Sequence, residues 1–243
     1  MDIKYETKDC IVAFIDILGS SNAIMKDAQK SLNTVHIAYD EAKSIYRNLF
    51  DEKKFFPSVK IFSDNIVIAV PYSKDKGLDA FLAVAIMSAI VQVQFLNHRW
   101  LTRGGISYGS YFVDEIMVWG TALVNAYYLE NSIAIYPRII IDPDLVGEIG
   151  LANPNLKNKY KTWIRQDEDR LFFINFLNDC LKDLLSYVLI QMSETENQII
   201  DNIGNLKANQ KWLWLNRYLE KRLLDIPKSN GESDDEENEI QRN

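Results

Sequence analysis

IVAFIDIL, Ile11 to Leu18, is a continuous apolar run rich in β-branched residues, broken by one acid, Asp16, near its end. A run of this kind has no polar face to offer water, so it reads as a central strand covered on both sides. Gly19-Ser20-Ser21-Asn22 follows at once. It breaks the strand and supplies hydroxyl and amide groups suited to capping a helix. That helix is expected to reach about Leu49, with Ile24, Leu32, Val35, Ala38, Ala42 and Ile45 as its apolar residues.

Working outward, Ser58 to Val70 (SVKIFSDNIVIAV) holds two β-rich halves around Ser63-Asp64-Asn65. The polar tripeptide has turn chemistry, so the segment predicts a hairpin with Asp64 at its tip. Phe81 to Leu96 (FLAVAIMSAIVQVQFL) is apolar on all sides but only 16 residues long, with two glutamines. A membrane span needs roughly 20 apolar residues, so this stretch predicts a helix buried within the fold. Leu101 to Gly120 reads as two strands loosened by four glycines, Thr121 to Asn131 as a short helix, and Arg138 to Ile141 as a buried strand ended by Asp142-Pro143. Asn153 to Lys161 reads as a polar loop, Arg170 to Leu177 as one more strand, and the rest to about Leu224 as helix carrying Trp212, Trp214 and Tyr218.

The order β-α-β-β-α-β predicts an α+β fold with a ferredoxin-like core and a C-terminal helical extension. The expected division is residues 1–150 for the core, 151–227 for the remaining strand and the helices of the same domain, and 228–243 for an acidic disordered tail.

The bulk numbers restrict the function. With 243 residues, 47 % hydrophobic and 25 % charged, the chain has the composition of a globular protein. Its formal net charge of -7 supplies no basic field for a nucleic-acid duplex. The opening MDIKYETKDC is polar and unlike a signal peptide, and Cys10 and Cys180 have no CxxC spacing, so a reducing cytoplasm is expected. His36 and His98 have no metal-ligand partner at i+3 or i+4. A bound metal would be held by carboxylates, which favours hard ions such as magnesium or manganese.

Asp16 ends a hydrophobic strand and Asp64 tips a hydrophobic hairpin. Each position also suits a plain turn residue. In a ferredoxin-like sheet, however, the first strand and the central hairpin are neighbours, so both acids would converge. Paired carboxylates in apolar surroundings need a cation. Two metals on such a pair would serve phosphoryl or nucleotidyl transfer.

Four blocks in order resemble the class III adenylate and guanylate cyclases. FIDILGSS (Phe14 to Ser21) is similar to their first metal motif, and KIFSDN (Lys60 to Asn65), 48 residues from Asp16 to Asp64, to their second. LTRGGISYG (Leu101 to Gly109) resembles their Arg-x-Gly-Ile-x-x-Gly strand, and VWGTALVNAYYLE (Val118 to Glu130) their Ala-x-x-Leu-Glu helix. The blocks cover roughly residues 8 to 142, and the compact form looks most like the pyrimidine nucleotide cyclases of the Pycsar anti-phage systems.

The resemblance implies a homodimer that makes cyclic UMP or cyclic CMP to switch on a separate effector. It implies two Mg2+ or Mn2+ ions per site, on Asp16, Asp64 and the backbone carbonyl of Ile17. It places Gly19, Ser20 and Ser21 at the phosphates, and Lys60, Phe62 and Met117 at the base. Met117 cannot make the usual polar contact with a purine. The transition-state Asn and Arg positions fall on Val124 and Tyr128, which leaves Asn125 one residue away and Arg103 or Arg138 as substitute cations. Trp119, Tyr127 and Tyr128 are expected to be core or dimer-interface aromatics. The missing helix arginine also suits a catalytically silent, nucleotide-binding domain. A linear nucleotidyltransferase such as a diguanylate cyclase has no GGDEF-like signature at the hairpin to support it.

Overall fold

Lys8–Ile17 forms β1, and every residue from Cys10 to Ile15 is buried, as a run with no polar face requires. Successive side chains alternate between the two faces of the sheet. Cys10, Val12 and Phe14 pack into one cluster with Val67, Ala69, Tyr111, Ala122 and Ala126. A computed structural model describes residues 5–49, 56–178 and 183–226. The acidic tail expected over 228–243 and Cys180 lie outside the described residues.

The hairpin is β2 (Ser58–Phe62) and β3 (Asn65–Pro71), and β3 lies antiparallel to β1. The strand Thr102–Val113, β4, lies antiparallel along the other side of β1. Two helices, α1 (Ser20–Lys26) and α2 (Ala28–Leu49), join β1 to β2, and α3 (Gly77–Asn97) joins β3 to β4. The spatial order β2-β3-β1-β4 is that of a βαββαβ ferredoxin-like sheet. Beyond β4 the sheet continues through β6 (Ile139–Ile141), which is parallel to β4, and then β8 (Phe172–Ile174) and β7 (Ile164–Gln166). The two-residue β5 (Val118–Trp119) pairs with the far end of β4. The fold is therefore α+β with a mixed sheet.

α2 packs on α3, and α3 packs on β1 and β3. The opposite face is covered by α4 (Thr121–Tyr128), which packs on β1 and β4. Among the described residues, one helical stretch, Lys74–Asn97, is long and apolar enough to cross a membrane, and 83 % of its apolar window is buried inside the fold. It is the core helix that its all-round apolar character predicts.

Several local expectations are corrected. The single helix after Gly19 is two, because Asp27 breaks it and caps the second: its Oδ1 accepts from the Lys30 N–H, and its carbonyl accepts from the Ser31 hydroxyl. The buried residues of α2 are Ser31, Ala38, Ala42 and Tyr46, whereas Ile24, Leu32 and Ile45 are exposed. Small side chains let α2 lie close to its neighbours. The glycine-rich segment forms two strands as expected, the twelve-residue β4 and the two-residue β5. The polar stretch expected as loop contains the single turn α6 (Asn158–Lys161), and Asp142 caps α5 (Pro143–Glu148).

Strands β7 and β8 complete the same sheet, so the first compact unit runs from Met1 to Lys182 and the second from Asp183. The second is a helical hairpin, α7 (Leu184–Asp201) and α8 (Leu206–Asp225), joined by a short turn. Within it the Asn209 amide donates to the Ile199 carbonyl, and Trp214 stacks on Tyr218 with ring centroids 5.5 Å apart.

Candidate functional site

Strand pairing places Asp16 opposite Asn65 on β3 and opposite Arg103 on β4. The Ile17 N–H donates to the Asp64 carbonyl at 3.0 Å, which ties the hairpin tip to the end of β1. Ser63 makes that tight turn possible by adopting φ 55°. The first and second acids therefore stand at one end of the sheet. Ser20, buried at the start of α1, donates its hydroxyl to Asp64 Oδ2 at 2.5 Å. Burial alone would raise the Asp64 pKa. The hydroxyls of Ser20 and Ser63 and its own backbone N–H more than offset this, and the carboxyl lies below its usual range.

A third acid joins them. The end of α4 passes into a π turn, Leu129–Ile133, closed by the Ala134 N–H donating to the Leu129 carbonyl at 2.8 Å. Such turns are rare and frequent at functional sites. Here the turn carries Glu130, which is only 3 % exposed. Arg103 lies between the acids: its Nη2 is 2.6 Å from Glu130 Oε1, its Nε donates to Asp16 Oδ2 at 3.4 Å, and its Nη1 donates to the Ala134 carbonyl at 3.4 Å. The Glu130 carboxyl is pushed up to about 7, chiefly by desolvation; Arg103 opposes the rise, while Asp16 and then Asp64 add to it. Glu130 closes the Leu-Glu segment quoted above, yet sequence reasoning did not place it in the site. The available signal was a single acid ending the apolar helix ALVNAYYLE.

That raised pKa has a consequence for stability. An acid whose folded pKa exceeds its unfolded value costs folding nothing while both states keep the proton, below about pH 4.5, and costs most above about pH 7. Glu130→Gln is therefore expected to raise the melting temperature of the metal-free protein at pH 8, relative to the native chain, and to lose that advantage at pH 4.5. Melting curves across this range would show a difference independent of pH if the burial of Glu130 were harmless.

The remaining predicted residues lie on the adjoining turns and strands. Gly19 turns the chain with φ 79°, and Gly19 and Ser21 stay exposed beside the inward-facing Ser20. Ile17 is buried. Lys60 and Phe62 pair with Val67 and Asn65, on the face that carries Asp16. Phe62 is exposed with its ring 6.3 Å from that of Phe14. Met117 is exposed and donates its N–H to Asp114 Oδ1 at 2.8 Å; Lys60 is close enough to help hold the Asp114 carboxyl low, after the Met117 and Ile116 N–H groups. Asn125 is on the exposed side of α4. Trp119, Tyr127 and Tyr128 are 69 %, 48 % and 60 % exposed, so none belongs to the core.

Arg138 immediately precedes β6, next to β8 in the sheet order. Its side chain is buried and clamped by Asp167 at 2.5 Å and by Asp169, with both acids in the loop between β7 and β8. It fastens the sheet edge through these two acids. Arg138→Ala is expected to cost roughly 2 kcal/mol in urea unfolding, below the full penalty of a broken buried pair because Asp169 is half in water.

The donor set suits a hard divalent ion. Asp16 is open enough for access, with its side chain 21 % exposed, and Asp64 is oriented by Ser20. Two carboxylates, Asp16 and Glu130, flank the Arg103 guanidinium and Asp64 is near enough to act on Glu130, an excess of negative charge that a cation would relieve. Among the described residues no cluster of three or more His, Cys, Asp or Glu side chains has metal-binding geometry. Magnesium and manganese commonly take one or two carboxylates and complete their shell with phosphate and water oxygens.

No protein-family model matches the chain, and no curated protein matches it. Solved structures do resemble it. The adenylyl cyclase CyaB from P. aeruginosa aligns over 71 % of this chain and 94 % of its own, with 16 % identity and a TM-score of 0.46. A monomeric guanylyl cyclase domain of the RhoGC fusion protein from Blastocladiella emersonii aligns over 70 % of this chain and 98 % of its own, with 14 % identity and a TM-score of 0.48. A bacterial light-regulated adenylyl cyclase aligns over 90 % of this chain and 59 % of its own, at 13 % and 0.44.

Proposed function

We propose that this chain is a nucleotide cyclase that converts a pyrimidine nucleoside triphosphate, UTP in preference to CTP, to the 3′,5′-cyclic monophosphate and pyrophosphate. The observation that carries the reading is the convergence of Asp16 and Asp64 at one sheet end, with Arg103 beside them. Two Mg2+ or Mn2+ ions on Asp16, Asp64 and the Ile17 carbonyl would acidify the 3′-hydroxyl and neutralise the triphosphate.

The chain's own residues supply position and charge. Ser20 orients Asp64, and the Gly19–Ser21 turn borders the phosphates. Lys60, Phe62 and Met117 border the base, where the thioether offers no polar group for a purine edge. The 3′-hydroxyl would lose its proton to solvent water as its oxygen bonds to the α-phosphorus and the bond from that phosphorus to the β-phosphate oxygen breaks, releasing pyrophosphate, and Arg103 is the nearby cation for the charge that develops.

Exposed Trp119, Val124, Tyr127 and Tyr128 form apolar surface suited to a subunit interface, in keeping with a homodimer in which α4 of one subunit serves the acids of the other. The product would act as a messenger on a separate effector, the signal generator of a bacterial anti-phage system in the cytoplasm. Purified protein with Mn2+ and each of the four triphosphates, with products identified by mass, tests this directly. Cyclic UMP is expected, and release of pyrophosphate from none of the four rejects catalysis.

A second reading, a silent nucleotide-binding domain, is favoured by one observation. Tyr128 stands where a transition-state arginine is expected, and Arg138 is locked in an ion pair. Nucleotide binding without turnover in the same assay would select it.

A further inference from the structure

We propose that Arg103 is an internal counter-ion that competes with metal for Asp16, and that Glu130 is the positioning residue that holds it back. The inference rests on the reading of Asp16 as a metal ligand. Arg103 sits at unequal distances from its two acids: 2.6 Å from Glu130 Oε1 and 3.4 Å from Asp16 Oδ2. By distance the guanidinium lies nearer to Glu130 than to Asp16. Its third contact, Nη1 to the Ala134 carbonyl at 3.4 Å, draws on the same π turn, so both anchors away from Asp16 come from one element.

Exposure is graded in the same sense. The Glu130 side chain is 4 % exposed, that of Arg103 23 % and that of Asp16 21 %. Glu130 is therefore better shielded from an incoming ion than Asp16. A planar guanidinium presents several N–H groups to carboxylates around it, so loss of one partner leaves it free to turn onto the other. Without Glu130 the closest remaining acid is Asp16, and a full ion pair there would oppose a cation at the same oxygens.

The members of this ion pair consequently have opposite effects on metal affinity. Mn2+ binding to the metal-free protein at pH 8, read by the loss of the free-ion paramagnetic resonance signal, separates the possibilities without recourse to turnover. Glu130→Gln is expected to weaken Mn2+ binding about fivefold, and Arg103→Ala to strengthen it by a similar factor. In the Arg103→Ala background, adding Glu130→Gln should change affinity less than about twofold, since Glu130 acts through the arginine.

Weakening by both single changes would overturn the inference, because damage to the fold or to packing moves both in one direction. So would a Glu130→Gln effect of full size in the absence of Arg103, which would mark a direct effect of charge. Arg103→Lys, which keeps a cation but loses the fork, provides a second variant where Arg103→Ala does not fold. It should relieve part of the competition and bind Mn2+ more tightly than the native chain, and weaker binding would again overturn the inference. Asp16→Asn distinguishes the two levels: if the native chain binds Mn2+ and Asp16→Asn binds it equally well, the metal reading itself fails and the competition with it.

Discussion

Asp64→Ala is expected to abolish cyclic nucleotide formation, a fall of about a thousandfold or more, while the protein remains folded. The asymmetry follows from where Asp64 sits. Its side chain projects from a hairpin tip and accepts from Ser20, and that hydroxyl is the chief side-chain partner lost on truncation. A hydrogen bond of this kind is worth about 1 kcal/mol. Its backbone carbonyl, which accepts from the Ile17 N–H and secures the hairpin to β1, is untouched by the substitution. Removing one of three clustered carboxylates also relieves repulsion, and Glu130, which Asp64 helps push up, should titrate at a lower pH. Turnover measured with the preferred triphosphate, alongside a melting curve, checks both halves. Activity within tenfold of the native chain would reject Asp64 as a ligand.

Gly105→Val is expected to be the most damaging single change to the fold near the site, costing about 3 kcal/mol or more. Glycine normally weakens a strand, and here it is required by close approach. A Cβ on Gly105 would lie 2.4 Å from the Ala126 carbonyl oxygen and 2.5 Å from the Leu129 Cβ. Neither is the flexible end of a long side chain, so the strand or α4 must move as a body. Leu129 immediately precedes Glu130, so displacing α4 also displaces the acid that holds Arg103. Two readouts should therefore fall together: the urea midpoint, and Mn2+ affinity in whatever fraction stays folded. A midpoint shift below about 0.5 kcal/mol would mean that α4 does not rest on β4 at Gly105.

These two residues were unequally legible. Asp64 was readable because a hydrophobic hairpin places its turn residues predictably, and an acid there is conspicuous. Gly105 was readable only as a loosening of a strand, because the feature that demands it is the backbone of a helix some twenty residues later. The face of α2 was misread for a related reason. Apolar residues recur on more than one side of that helix, and contact with α3 selected the small ones, Ala38 and Ala42, for the interior. Arg138 looked available for phosphate because its partners, Asp167 and Asp169, are about thirty residues away and come near only when β8 pairs with β6.

By itself the sequence determined the strands, the hairpin, the buried core helix and the identity of two acids at the ends of apolar segments, because these depend on side-chain alternation and on runs of neighbours along the chain. Tertiary structure alone decided how charge is shared among Asp16, Arg103 and Glu130. Strand register sets Arg103 opposite Asp16, and a π turn at the end of α4 swings Glu130 inward. Electrostatic coupling depends on distances of a few ångströms between residues far apart in sequence, and those distances exist only once the sheet has closed.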